Sequence, residues 1–106
     1  MQPINLNSLE NFNPVPGYNA KLIHGDTMTV AHWKIEKDHE LPVHSHPHEQ
    51  IVNVMAGEFE LVLDGTPHRL QAGQVLVIPG DVPHSGRAIT DCELIDVWHP
   101  CRDDYR

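Results

Sequence analysis

Between positions 44 and 50 the chain reads His-Ser-His-Pro-His-Glu-Gln, three imidazoles and two oxygen-bearing side chains in one short run. Residues two apart on a strand point the same way, so His44 and His46 project into one space. Imidazole nitrogens so placed can share a metal ion at about 2.0–2.1 Å. Pro42 and Pro47 bracket the pair and restrict the backbone around it. The plainer reading is a solvated polar rim, because the chain carries nine histidines. His24, His32, His39, His68 and His99 fit that reading. His44 and His46 fit the metal better, since both face one way and further donors follow closely.

Spacing alone leaves the other ligands open. His48, Glu49 and Gln50 are all within reach, but Pro47 argues against an unbroken strand that would align them. His84 follows a turn built from Pro79, Gly80 and Asp81, and is either a loop histidine or a ligand arriving from a distant segment. A second kind of chemistry is available at Asp96. In Leu94-Ile95-Asp96-Val97-Trp98, alternation puts Leu94, Asp96 and Trp98 on one face and Ile95 with Val97 on the other. An acid in a strand apolar on both faces is costly to bury without a purpose. The alternative is a strand-end carboxylate capped by backbone amides.

These residues need a scaffold, and the punctuation of the chain implies one. From Thr27 onward, β-prone segments alternate with turn signals every 8 to 12 residues or so, which predicts a sandwich or barrel. Residues 27–35, 51–55, 58–63, 68–70, 75–78 and 93–98 read as strands. In the third of these, Phe59, Leu61 and Leu63 share a face, and Asp64-Gly65 then turns the chain. No window carries a helical stripe, and there is no internal repeat. The expectation is an all-β chain divided into an N-terminal arm or edge segment, 1–26, and a single barrel domain, 27–106.

Composition narrows the partners. The chain has 106 residues, enough for one core, and a formal net charge of -8 that argues against phosphate-neutralising contact with nucleic acid. No apolar run approaches the roughly 20 residues of a spanning helix, so no membrane partner is expected. The opening Met-Gln-Pro-Ile-Asn-Leu lacks the basic and apolar stretches of a signal peptide. Cys92 and Cys101 form no disulfide framework and read as reduced thiols. A cytoplasmic protein is the expectation.

Taken together, the two histidine stretches resemble the two motifs of the cupins. Asp38, His44, His46, Gln50 and Gly57 stand at the spacing of the first motif, and Gly73, Pro79 and His84 at that of the second. The resemblance spans about 27–98 and implies a double-stranded β-helix, a jelly-roll barrel with a divalent metal inside. It implies His44, His46, Gln50 and His84 as ligands, with His48 and Glu49 on the rim. Asp38 and Asp81 replace glycines of the pattern, which the turns can survive because Asp tolerates the left-handed region. Ala88 replaces a frequent Asn, and Gln50 stands where many cupins carry Glu. Three imidazoles and an amide leave the ion's charge uncancelled, so such a site should attract an anionic ligand.

The stretch 95–105 resembles the ending of the pectin-degradation cupins, the KdgF family, which open 4,5-unsaturated uronate monosaccharides to linear keto acids. That resemblance implies Asp96 as acid/base, Trp98 as the aromatic packing the pocket, and Arg102 as a receiver of the substrate carboxylate. The implied reaction is metal-assisted proton shuffling with one divalent ion per chain, and the donor set accepts nickel, zinc, cobalt, iron, manganese or copper. A metal-dependent dioxygenase and a non-catalytic sugar-binding cupin are the other two readings. The expected partners are a small anionic, sugar-like substrate and a second copy of the chain in a homodimer, joined through a strand edge lent by the N-terminal segment.

Overall fold

The computed structural model describes residues 1–106 as nine strands and two single-turn 3-10 helices, Leu6–Ser8 and Asp103–Tyr105. The strands are β1 Tyr18–His24, β2 Thr29–Ile35, β3 Glu40–His44, β4 Glu49–Ala56, β5 Glu58–Leu63, β6 Thr66–Gln71, β7 Val75–Ile78, β8 His84–Ala88 and β9 Cys92–His99. They form a five-stranded sheet in the order β1-β2-β9-β4-β7 and a four-stranded sheet in the order β3-β8-β5-β6. Every strand pairing is antiparallel. The all-β expectation holds.

Alternation decides what lies between the sheets. On β2, Thr29, Ala31, Trp33 and Ile35 are buried; on β9, Cys92, Leu94, Asp96 and Trp98; on β4, Gln50, Val52 and Val54. The facing sheet contributes Phe59 and Leu61 from β5 and Leu70 from β6. On β8 the chain uses Gly86, where any Cβ would collide with the Phe59 ring. That close approach lets β8 run flat across the core and deliver His84 to the interior at its start.

Three strands escaped the sequence reading. β1 lies within 1–26 and runs along β2 with Tyr18 and Ala20 in the core. Its alternation is hidden because Lys21 and His24 break the apolar pattern at an edge. β3 carries Pro42 and is mostly exposed, and β8 reads His-Ser-Gly-Arg-Ala, with little β-branched content. Both are strands by pairing rather than by propensity. The turns behave as Asp and Gly allow: Asp38, Asp64 and Asp81 have φ of 70°, 47° and 66°. Asp64 with Gly65, at 81°, closes the β5–β6 hairpin with positive φ at both positions.

Candidate metal centre

His44 closes β3 and pairs directly across the sheet with His84, which opens β8. Their ring centroids are 4.3 Å apart. His46 comes from the β3–β4 connection, its centroid 5.0 Å from that of His84. Two features of the 79–81 turn hold that connection in place. The Asp81 N–H donates to the His46 carbonyl at 2.8 Å, and a Cβ on Gly80 would strike the Pro47 carbonyl oxygen. The two distant histidine stretches are thus fastened to each other by backbone contact.

The ring nitrogens are sorted by their hydrogen bonds. Nδ1 of His44 donates to Pro42 O at 2.8 Å, Nδ1 of His46 to His48 O at 3.1 Å and Nδ1 of His84 to Val82 O at 2.9 Å. A carbonyl oxygen can only accept, so each Nδ1 carries the proton and each neutral ring keeps its lone pair on Nε2. Ligand nitrogens of the three rings lie within 4.8 Å of one another. Nε2 of His84 is buried with no partner. Burial, then the Arg102 charge, pushes His46 down to about 4, and burial also lowers His84. Neutral imidazoles with converging lone pairs and backbone-anchored Nδ1 protons are what a bound divalent cation requires, and the residues fit one.

Gln50 faces the same point from the opposite sheet, its Oε1 3.1 Å from Nε2 of His46. Both atoms are acceptors in this arrangement, and a cation between them would satisfy both. The amide of Gln50 also lies close enough to Asp96 to favour its ionised form, which makes Gln50 the side chain between the histidines and the carboxylate.

Asp96 sits mid-strand in β9, between Ala31 of β2 and Val52 of β4. It is therefore not the amide-capped strand-end residue of the alternative reading. Its Oδ2 accepts from the Trp33 indole N–H at 3.0 Å, while Oδ1 is buried without a partner. Burial raises its pKa to about 7, against the opposing pull of Gln50, Trp33 and Arg102. Trp98 is buried beside it, and its Nε1 has no partner. Arg102 is not a surface charge: its side chain is 5% exposed. It makes a two-pronged ion pair with Asp104, two residues further on.

His44, Gln50, His84, Asp96, Trp98 and Arg102 all line one cavity between the sheets, of about 50 Å³. His46 reaches it through Gln50. Sequence reasoning overlooked Trp33 and Tyr105 in the same wall. Trp33 was accessible from the alternation of β2, whereas nothing local marks Tyr105. His48 packs edge-on against His46 but belongs to neither the triad nor the cavity wall, its Nε2 donating to Cys101 O at 3.1 Å, and Glu49 is exposed. The remaining histidines, 24, 32, 39, 68 and 99, lie outside this cluster.

Residues 31–98 match the family model of the cupin domain. The chain belongs to the cupin family. Among solved structures, this cupin superposes on KdgF from Halomonas sp. with a TM-score of 0.85, at 30% identity over 92% of each chain. Over 57 residues, 53% of the cupin, it is 49% identical to Protein SchB of Streptomyces halstedii. It is 42% identical over 57 residues to Polyketide synthase CurC of Streptomyces cyaneus. The matched segment spans 41% and 37% of those two relatives' lengths. No helix of this cupin is long and apolar enough to cross a membrane.

Proposed function

We propose that this cupin is a metal-dependent enzyme that opens 4,5-unsaturated uronate monosaccharides to linear keto acids. The observation that carries this reading is a three-histidine cluster, its ligand nitrogens within 4.8 Å of one another, two members of which line the cavity that also holds a buried carboxylate with an unpartnered oxygen. The likeness to KdgF over nearly the whole chain supports it. His44, His46 and His84 hold the ion, with Gln50 as fourth ligand. When bound, the ion supplies a positive centre for substrate oxygens and for charge that develops on them.

The chain's own residues do the rest. The ring opens when the anomeric hydroxyl gives up its proton, the bond from the anomeric carbon to the ring oxygen breaks, and an aldehyde and an enolate result. Asp96 Oδ1 takes that proton and returns it to the carbon of the enolate double bond as the ketone forms. The sum is an isomerisation with no electron acceptor. The Trp33 hydrogen bond fixes Oδ2 and leaves Oδ1 as the working atom. Trp98 packs the wall, and Arg102 takes the substrate carboxylate.

A second reading follows from the polyketide relative. Polyketide intermediates also carry enolisable carbonyls, so the same ion and carboxylate could move protons on such a substrate. One assay separates them: protein loaded in turn with nickel, zinc, manganese and iron is given unsaturated galacturonate, and loss of its ultraviolet absorbance is followed. Turnover supports the uronate reading. Inertness under every metal removes it and leaves the polyketide class to be tested.

We also infer a cytoplasmic homodimer. Two unpaired cysteines support a reducing compartment. Across the outer face of the larger sheet, the registers align Ile23, Val30, Val97, Ile51 and Val77 in one aliphatic row. Ile51 and Val77 are 37% and 51% exposed there. A flat apolar row at the centre of a sheet supports a self-complementary contact better than the strand-edge pairing expected from sequence.

A further inference from the structure

Arg102 and Asp104 form a closed fork at the end of the chain: Nε donates to Oδ1 at 3.1 Å and Nη2 to Oδ2 at 2.9 Å. This is the geometry in which a guanidinium holds a free carboxylate. The two partners live in different surroundings. The Arg102 side chain is 5% exposed and that of Asp104 is 55% exposed. The guanidinium carbon lies 4.9 Å from the Trp98 ring centroid and 3.8 Å from that of Tyr105. The cation is fixed in the cavity wall, and the anion is largely exposed to solvent.

The cavity adds a second observation. At about 50 Å³ it has room for a few water-sized groups, less than a sugar acid needs. Tyr105 belongs to the same 3-10 turn as Asp104 and forms part of the wall. Because Tyr105 and Asp104 share the turn, an outward shift of it would open the fork and enlarge the cavity together.

We propose that Asp104 is an internal carboxylate competitor: it fills the Arg102 fork and gives way to the carboxylate of an incoming acid, so that it sets how strongly the site favours carboxylate ligands. The inference rests on the anionic-substrate part of the reading above. Exchange of one anion for another never leaves the buried guanidinium without a counter-charge, which would be expensive. The competition lowers affinity, because only molecules with an open fork bind. Removing the charge of Asp104 therefore tightens binding of an acid and leaves its neutral counterpart alone.

Titration calorimetry on metal-loaded protein tests this, with D-galacturonate as the acid and D-galactose as the neutral control. Asp104→Asn is expected to bind galacturonate roughly 3- to 10-fold tighter than wild type, with no change for galactose. Adding Arg102→Gln to that variant is expected to erase the gain. Asp104→Ser gives the same readout should the Asn variant melt well below wild type. Galacturonate binding that is unchanged or weaker in both variants, or absent from every protein, overturns the proposal. An equal gain for galactose also overturns it, since that marks a loosened wall rather than a freed fork. Failure of the uronate reading looks different: wild type inert toward unsaturated uronates while Asp104→Asn still tightens on galacturonate.

Discussion

At the scale of single residues, Asp96 and the histidines carry separable tests. Asp96→Asn keeps the size of the side chain and an acceptor for Trp33 while removing the exchangeable proton. We expect the variant to fold and keep its metal while ring opening slows by roughly 10²- to 10⁴-fold. A rate within a factor of two of wild type would falsify the acid/base role. Metal content distinguishes the histidines. His84→Ala removes a buried Nε2 with no other partner, and elemental analysis is expected to show most of the ion gone. His48→Ala removes a hydrogen bond to Cys101 O and an edge-on ring contact with His46 but none of the three clustered ligand nitrogens, so metal content should stay near one ion per chain. Equal loss in the two variants would mean that simple clustering, not converging lone pairs, governs binding. His44 and His46 were legible in the sequence as neighbours in a histidine-rich run, although only His44 is on a strand and His46 reaches the cluster from the β3–β4 connection, not through a period of two. The Nδ1 contacts that orient the rings were not, because their acceptors are carbonyls whose direction depends on the local backbone.

Among the elements, the 79–81 turn has the largest influence on the site. It sits in the left-handed region at Asp81, donates a hydrogen bond to His46 O and packs Gly80 on Pro47. A β-branched residue resists that backbone. Asp81→Val is expected to cost about 1–2 kcal/mol, read as a lowered melting temperature, whereas Asp81→Gly should be close to neutral. If both behave alike, backbone conformation is not what Asp81 supplies. Strands β4, β5, β7 and β9 could be read from alternation because each has a buried face and β-prone residues. β3 and β8 could not, though they deliver His44 and His84. Proline and glycine weaken their local signal, and only pairing across the sheet makes them strands. The elements that carry the candidate metal ligands were therefore the hardest to see, and the motif spacing pointed to them before the strand pattern did.

For the whole molecule, the exposed aliphatic row is the feature that needs a partner. Lys at Ile51 and Val77 together places two charges in its centre without touching the core. We expect sedimentation to show wild type at twice 12.0 kDa and the Ile51→Lys, Val77→Lys variant at 12.0 kDa. Wild type at 12.0 kDa across a broad concentration range would sink the dimer. The sequence led to a strand-edge contact because it shows an N-terminal segment without regular pattern. The row is invisible there, since its five members come from five strands and meet only through register.

The chain has two tryptophans, and both Trp33 and Trp98 stand in the wall of the cavity. All of its indole emission therefore originates within the candidate site, one fluorophore hydrogen-bonded to the carboxylate proposed to move the proton and the other beneath the guanidinium. The protein carries its own optical reporter. Ions with unpaired electrons should quench it and zinc should not, and displacement of Asp104 should register as a spectral shift without any label.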